Sequence, residues 1–203
     1  LEACEYCMIA AEHISAKVIS RFLDLAYQFG LPSTSLSAAY GLAESTLAVT
    51  GDRIHDSLFM GSFDQSSLSA GFAKPSPTGR TLVSSGYALP GMTISIRDKY
   101  SVLPPGFIGE VFIEGPTVMH GYLGDSDTSP LSKLSSGDLG FLYNDHLFIT
   151  GRKKELIIVN GKNIYPEDLE SAVRSSLDLF EHSTSVCFSI ENDDSLDTIV
   201  FIL

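Results

Sequence analysis

The chain has 203 residues and 44% hydrophobic content, enough for one sizeable domain with a real core. Its formal net charge is -12, with 13 Lys and Arg against 25 Asp and Glu, which excludes a basic phosphate-backbone platform and with it a nucleic-acid partner. No apolar run approaches the ~20 residues of a membrane-spanning helix, and three cysteines without a pairing framework point to a reducing, cytoplasmic compartment.

Taken in order, the pattern predicts a short strand over Cys4–Ile9. Cys4 and Cys7 lack a second pair at zinc spacing and read as small core residues. A helix follows over His13–Phe29, with apolar residues at Ile14, Val18, Ile19, Phe22, Leu25, Ala26 and Phe29. Gly30-Leu31-Pro32 stops it. Leu36–Tyr40 is expected to run into a tight turn at Gly41, with a β-branched strand over Thr46–Thr50. From Gly51 to Gly79 the composition shifts to Gly, Ser, Pro and Asp around Leu58, Phe59, Met60, Phe63, Leu68 and Phe72. This segment reads as an inserted surface element whose scattered apolar residues dock it on a neighbour.

Short strands are then expected at Thr81–Ser84, Met92–Arg97, Gly109–Glu114 and His146–Thr150, as a small antiparallel sheet or barrel. Past Gly151 come a strand at Leu156–Val159, a hairpin turn at Asn160-Gly161, and a helix from Pro166 to Leu177 with Pro in its first turn. Strands at Val186–Ile190 and Thr198–Leu203 are joined by the polar run Glu191–Asp194. A boundary near Thr150–Lys154 separates the β-rich module from a small α+β module. The chain opens on Leu1 and closes on an apolar strand with nothing after it, so an internal piece of a longer protein is expected.

Four stretches occur in order: "AAYGLAEST" (38–46), "GEVFIEGPTVMHGY" (109–122), "SGDLG" (136–140) and "GRKKELIIVNGKNIYPEDLE" (151–170). Together they resemble the adenylate-forming (AMP-binding) superfamily of acyl- and aryl-CoA synthetases. The long detour between Thr50 and Ser85, and "YGLAE" where Thr more usually precedes Glu, resemble its fatty acyl-AMP ligases. The resemblance implies an α/β fold, an α+β fragment here: residues 1–150 would end the large AMP-binding domain, with 51–80 inserted. Residues 151–203 would be the hinge and part of the small C-terminal domain.

It also implies a reaction, in which a fatty acid is activated by ATP and Mg²⁺ to an acyl-adenylate and passed to an acyl carrier protein or a polyketide synthase carrier domain. A long-chain acyl-CoA synthetase and a non-catalytic adenylation-like binding module are the alternatives. Two anions meet in this chemistry, so cationic groups and a metal are needed to neutralise them.

By resemblance, Glu44 is the Mg²⁺-associated glutamate, a hard oxygen ligand of the kind Mg²⁺ prefers; a solvated turn acid is the alternative. Tyr40 offers a flat face to adenine, and Gly41 lets the backbone approach the nucleotide. Ala10, Ala11 and Glu12 cover the other face of the base, although the family usually has Gly at the first position and Pro where His13 stands. Asp138, expected in a Gly-bounded turn, accepts the ribose hydroxyls, and Arg152 reaches ribose or phosphate oxygens. Ile149 packs on the nucleotide or is a plain strand residue. Lys154 is the pivot of the small domain, and Lys153 a solvated charge. A phosphate-gripping loop is implied upstream of Leu1 and a catalytic lysine beyond Leu203.

Overall fold

The computed structural model describes residues 1–124, 133–159, 162–176, 185–190 and 198–202. The expected Asn160-Gly161 turn, the Glu191–Asp194 connection and the end of the helix at Leu177 lie outside them. The architecture is α+β. Strand β1 (Cys7–Ile9) lies parallel to β2 (Leu36–Leu42), which pairs antiparallel with β3 (Leu47–Gly51); β6 (Tyr87–Ala88) closes this sheet.

Helix α1 (Ala16–Gln28) connects β1 to β2. It ends in a Schellman motif: the Gly30 amide donates to Tyr27 O and the Leu31 amide to Ala26 O, with Gly30 at φ +79° where a side chain would be strained. The apolar period is real, but only one edge of it is buried. Ile19 packs towards Leu36, Ala38 and Val83, and Ala26, two turns on, is buried as well, whereas Val18 and Leu25 stay 60% and 58% exposed. Seven apolar positions span a wider arc than two short strands can cover.

The second sheet is antiparallel in the order β10-β9-β8-β7, from β7 (Thr93–Arg97), β8 (Gly109–Glu114), β9 (Leu134–Tyr143) and β10 (His146–Arg152). Both of its faces are buried, and strand alternation assigns the residues. Along β10, Leu147 joins Val49, Ile96, Val111 and Ile113 on one face, while Phe148 joins Phe141 on the other.

That second face is covered by the segment expected to be a surface insertion. β4 (Met60–Phe63), α2 (Gln65–Ser69) and β5 (Arg80–Val83) bring Phe63 and Leu68 to 1% exposure each against Phe141 and Phe148. Phe63 meets the rings of Phe141, Tyr143 and Phe148 edge-on at 5.1–5.4 Å. The scattered apolar residues dock the segment as expected, and they do so as a wall of the core, with Phe63 and Leu68 closing over Phe141 and Phe148. Asp64 caps α2, accepting from the Ser67 amide at 2.9 Å.

The later part of the chain holds the hairpin of β11 (Ile157–Val159) and β12 (Lys162–Ile164), helix α3 (Pro166–Ser176), and β13 (Val186–Ile190) paired with β14 (Thr198–Ile202). Two of the contacts that seat it are these. Tyr165 packs on Gly151, where a Cβ would stand only 3.0 Å from the ring. The Arg80 guanidinium grips Asp168 at the start of α3 through both nitrogens, their side chains 19% and 24% exposed. Among the described residues no helix is long and apolar enough to cross a membrane.

Candidate functional site

Strand β9 is one uninterrupted element of ten residues, so Asp138 does not sit in the expected Gly-bounded turn. Instead β9 carries a bulge. Its pairing with β8 jumps from Phe112↔Ser135 to Glu110↔Leu139, and Gly137 adopts φ +75° within the extra length. Ser136 Oγ donates to Val111 O at 2.8 Å and accepts the Asp138 amide at 3.1 Å. The bulge thus aims the carboxylate sideways out of the sheet.

Three residues expected from separate motifs converge there. The Tyr40 hydroxyl of β2 donates to Asp138 Oδ2 at 2.6 Å, and Arg152 Nε lies 3.4 Å from Asp138 Oδ1. Arg152 is the direct cross-strand partner of Asp138 between β9 and β10. Burial, then the Asp138 carboxylate, pushes the Tyr40 phenol well above the ordinary tyrosine range. Ile149 packs beside Tyr40 against the same core face.

Gly41 stands inside a strand where a tight turn was expected. It lies inside β2 at a register shift, and a Cβ there would stand 1.5 Å from the Leu47 carbonyl oxygen. Its bareness serves the crossing of β2 and β3; there is no tight turn at this point. Glu44 lies in the 3₁₀ turn Ala43–Ser45 that follows. The loop after β8 holds that turn. The Met119 amide donates to Glu44 O at 2.8 Å, Thr46 Oγ1 to Thr117 O at 3.0 Å, and the Tyr122 hydroxyl to Glu44 Oε1 at 2.9 Å. The motifs at 38–46 and 109–122 are therefore one structural unit.

Ala10, Ala11 and Glu12 follow β1, whose pairing ends at Ile9↔Ala38, two residues short of Tyr40. Ala11 holds φ +69° and Thr46 φ +66°, left-handed conformations that cost a side chain about 1–3 kcal/mol each. Lys154 is exposed in the turn after β10. Lys153 is solvent-exposed as expected, its side chain 60% exposed, and its Nζ also donates to Glu110 Oε2 at 2.8 Å.

The donor set fits a nucleotide. Asp138 supplies a carboxylate acceptor for hydroxyl donors, and Arg152, 69% exposed, has guanidinium nitrogens open to solvent. Mg²⁺ carried by phosphates takes one or two protein carboxylates and keeps its waters, a role that suits Glu44 with one oxygen held by Tyr122. Among the described residues no three His, Cys, Asp or Glu side chains gather as a metal site.

The AMP-binding enzyme family profile matches residues 1–123. The Mycobacterium tuberculosis long-chain-fatty-acid–AMP ligase FadD28 is 31% identical across 95% of this chain and 36% of its own length. The putative fatty-acid–CoA ligase FadD21 of the same organism is 35% identical across 81% of this chain and 32% of its own length. A solved fatty acyl-adenylate ligase structure, from work on the E. coli and L. pneumophila enzymes, superposes with a TM-score of 0.84 at 31% identity. It covers 96% of this chain and 37% of that one. The McyG A-PCP structure with phenylalanyl-adenylate gives a TM-score of 0.75 at 27% identity over 97% of this chain and 29% of that one. The chain spans about a third of the length of the curated relatives it matches.

Proposed function

This chain belongs to the AMP-binding enzyme family, and on that premise we propose that its protein activates a fatty acid as an acyl-adenylate. The carboxylate of the fatty acid attacks the α-phosphorus of ATP, the bond to the bridging oxygen breaks, and pyrophosphate leaves. The observation that carries this reading is the meeting of Tyr40, Asp138 and Arg152 from three strands. Asp138 holds the ribose hydroxyls, and Arg152 bonds ribose or phosphate oxygens. Tyr40 orients the Asp138 carboxylate and lends its ring to the base, with Ala10, Ala11 and Glu12 on the far side and Ile149 beneath. Bound Mg²⁺ would neutralise phosphate charge, and Glu44 is the residue that would hold it.

In this reading residues 1–150 close the large domain and 151–203 begin the small one, pivoting at Lys154. The acyl group then passes to the thiol arm of a carrier protein. The buried 51–80 segment supports the AMP-ligase branch of the family, as does the identity to FadD28. Coenzyme A as acceptor is the second reading, favoured by the identity to FadD21. The free thiols of Cys4, Cys7 and Cys187 suit a cytoplasmic setting.

Product analysis on the complete protein tests both readings. With ATP, Mg²⁺ and fatty acid, acyl-AMP and pyrophosphate are expected, and added coenzyme A should leave acyl-AMP as the main product. Efficient acyl-CoA formation would replace the AMP-ligase reading with the synthetase one. Binding of ATP without pyrophosphate release would leave a binding module.

A further inference from the structure

Glu110 sits directly under the bulge that aims Asp138. It lies in β8 between Arg97 of β7 and Leu139 of β9, and its side chain is 12% exposed. One carboxylate oxygen accepts from the Ser135 hydroxyl, at the start of the bulge. The other accepts from Lys153 Nζ at 2.8 Å, and the Lys153 amide in turn donates to Gly137 O at 2.9 Å. Burial pushes the Glu110 carboxyl up, but the Lys153 ammonium, the Ser135 hydroxyl and the Gly137 amide outweigh it and hold it below its usual range. The crest of the bulge is open on one side: nothing lies within 4 Å of where a Gly137 Cβ would stand. The hydrogen bonds gathered by Glu110 act on it together with those of Ser136, the β10 ladder and the Tyr40 hydroxyl on Asp138.

We propose that Glu110 is a positioning residue for the nucleotide site. Its carboxylate clamps the Ser135–Asp138 bulge of β9 to Lys153 at the exit of β10, and so sets Asp138 against Arg152. The proposal rests on Asp138 and Arg152 being nucleotide contacts. Lys153 lies between Arg152 and Lys154, so the same clamp sits where β10 ends and the turn begins. The carboxylate is suited to this because it has two oxygens and both are used in different directions. Alanine would release both ends; aspartate keeps the charge but falls one methylene short; methionine at 153 removes only the β10 end.

The test compares the complete wild-type protein with Glu110→Ala, Glu110→Asp and Lys153→Met. It reads KM for ATP, KM for fatty acid and kcat, alongside hydrogen exchange of the 134–140 amides. Glu110→Ala should raise KM for ATP by about tenfold, the size of one lost charge-assisted hydrogen bond. KM for fatty acid should stay unchanged and the Gly137 and Asp138 amides should exchange faster. Glu110→Asp should recover part of both effects, and Lys153→Met should move KM for ATP by a smaller factor. A residue that merely stabilises the sheet would lower the active fraction and hence kcat, leaving KM for ATP where it was. That pattern, or wild-type exchange at Gly137 and Asp138 in both Glu110 variants, overturns the proposal. Wild-type protein that binds no ATP would instead remove the functional reading, while the exchange arm still decides whether Glu110 holds the bulge.

Discussion

The Tyr40 hydroxyl donates to Asp138 Oδ2 at 2.6 Å across 98 positions of sequence, and Arg152 Nε approaches the other oxygen at 3.4 Å. The carboxylate is therefore oriented from both sides while its side chain is only 14% exposed. Asp138→Ala in the complete protein should weaken ATP binding. The loss is on the order of 1.5–3 kcal/mol for each hydrogen bond to the charged group. Tyr40→Phe should weaken it less, because Arg152 still faces the carboxylate. Isothermal titration with ATP checks both, and an unchanged affinity in Asp138→Ala removes the ribose assignment.

The same pair sets an alkaline limit on stability. Burial, then Asp138, raises the Tyr40 phenol above its ordinary value of 10.0. Above that value the unfolded chain loses the phenolic proton while the folded chain keeps it, so unfolding is favoured increasingly as pH rises. The contribution of Tyr40 is fully present below pH 10.0 and is lost on the way up to the folded value. Urea midpoints measured between neutral pH and pH 11 should fall more steeply for wild type than for Tyr40→Phe. Parallel slopes would show that Tyr40 does not titrate differently in the two states.

Phe63 tests whether residues 51–80 belong to the core. It is 1% exposed and wedged against Phe141, Tyr143 and Phe148. Phe63→Ala removes both burial and ring contacts, and should cost about 3–5 kcal/mol. Chemical denaturation followed by circular dichroism measures it. A change below about 1 kcal/mol, the scale of a surface substitution, would return the segment to the surface.

The Arg80–Asp168 pair ties β5 to α3, with a sign that depends on how it is broken. Burial pushes the Asp168 carboxyl up, and Arg80 offsets only part of that against the added push of Glu167. Asp168→Ala strands a guanidinium only 19% exposed. It should destabilise the chain by about 1–3 kcal/mol, less than a fully buried pair would show. The double replacement Arg80→Met with Asp168→Leu should come out near neutral. Thermal denaturation reads the stabilities, and limited proteolysis at the Lys153–Glu155 turn reads the docking of the later module. Equal losses in the single and double variants would contradict a desolvation-dominated pair.

Much of this protein was written in local pattern. The Gly30 stop of α1, the Pro166 start of α3 and the alternation of β8 and β10 all depend on neighbours within a turn or a strand, whereas Tyr40, Glu44, Asp138 and Arg152 stand out through the resemblance of their motifs. Side-chain period, capping and turn chemistry act over that range, so sequence alone determined those elements. Tertiary structure decided the rest. It made Gly41 a crossing point under Leu47 instead of a turn, and turned the Gly-flanked "SGDLG" into a bulge within a ten-residue strand. It buried Phe63 and Leu68 in a segment whose composition resembles a surface loop, and gave Lys153 a partner in Glu110, 43 positions away. The physical reason is common to all four. Each depends on which backbone or side chain from a distant strand fills the adjacent space, and strand register and sheet order set that only once the chain has folded.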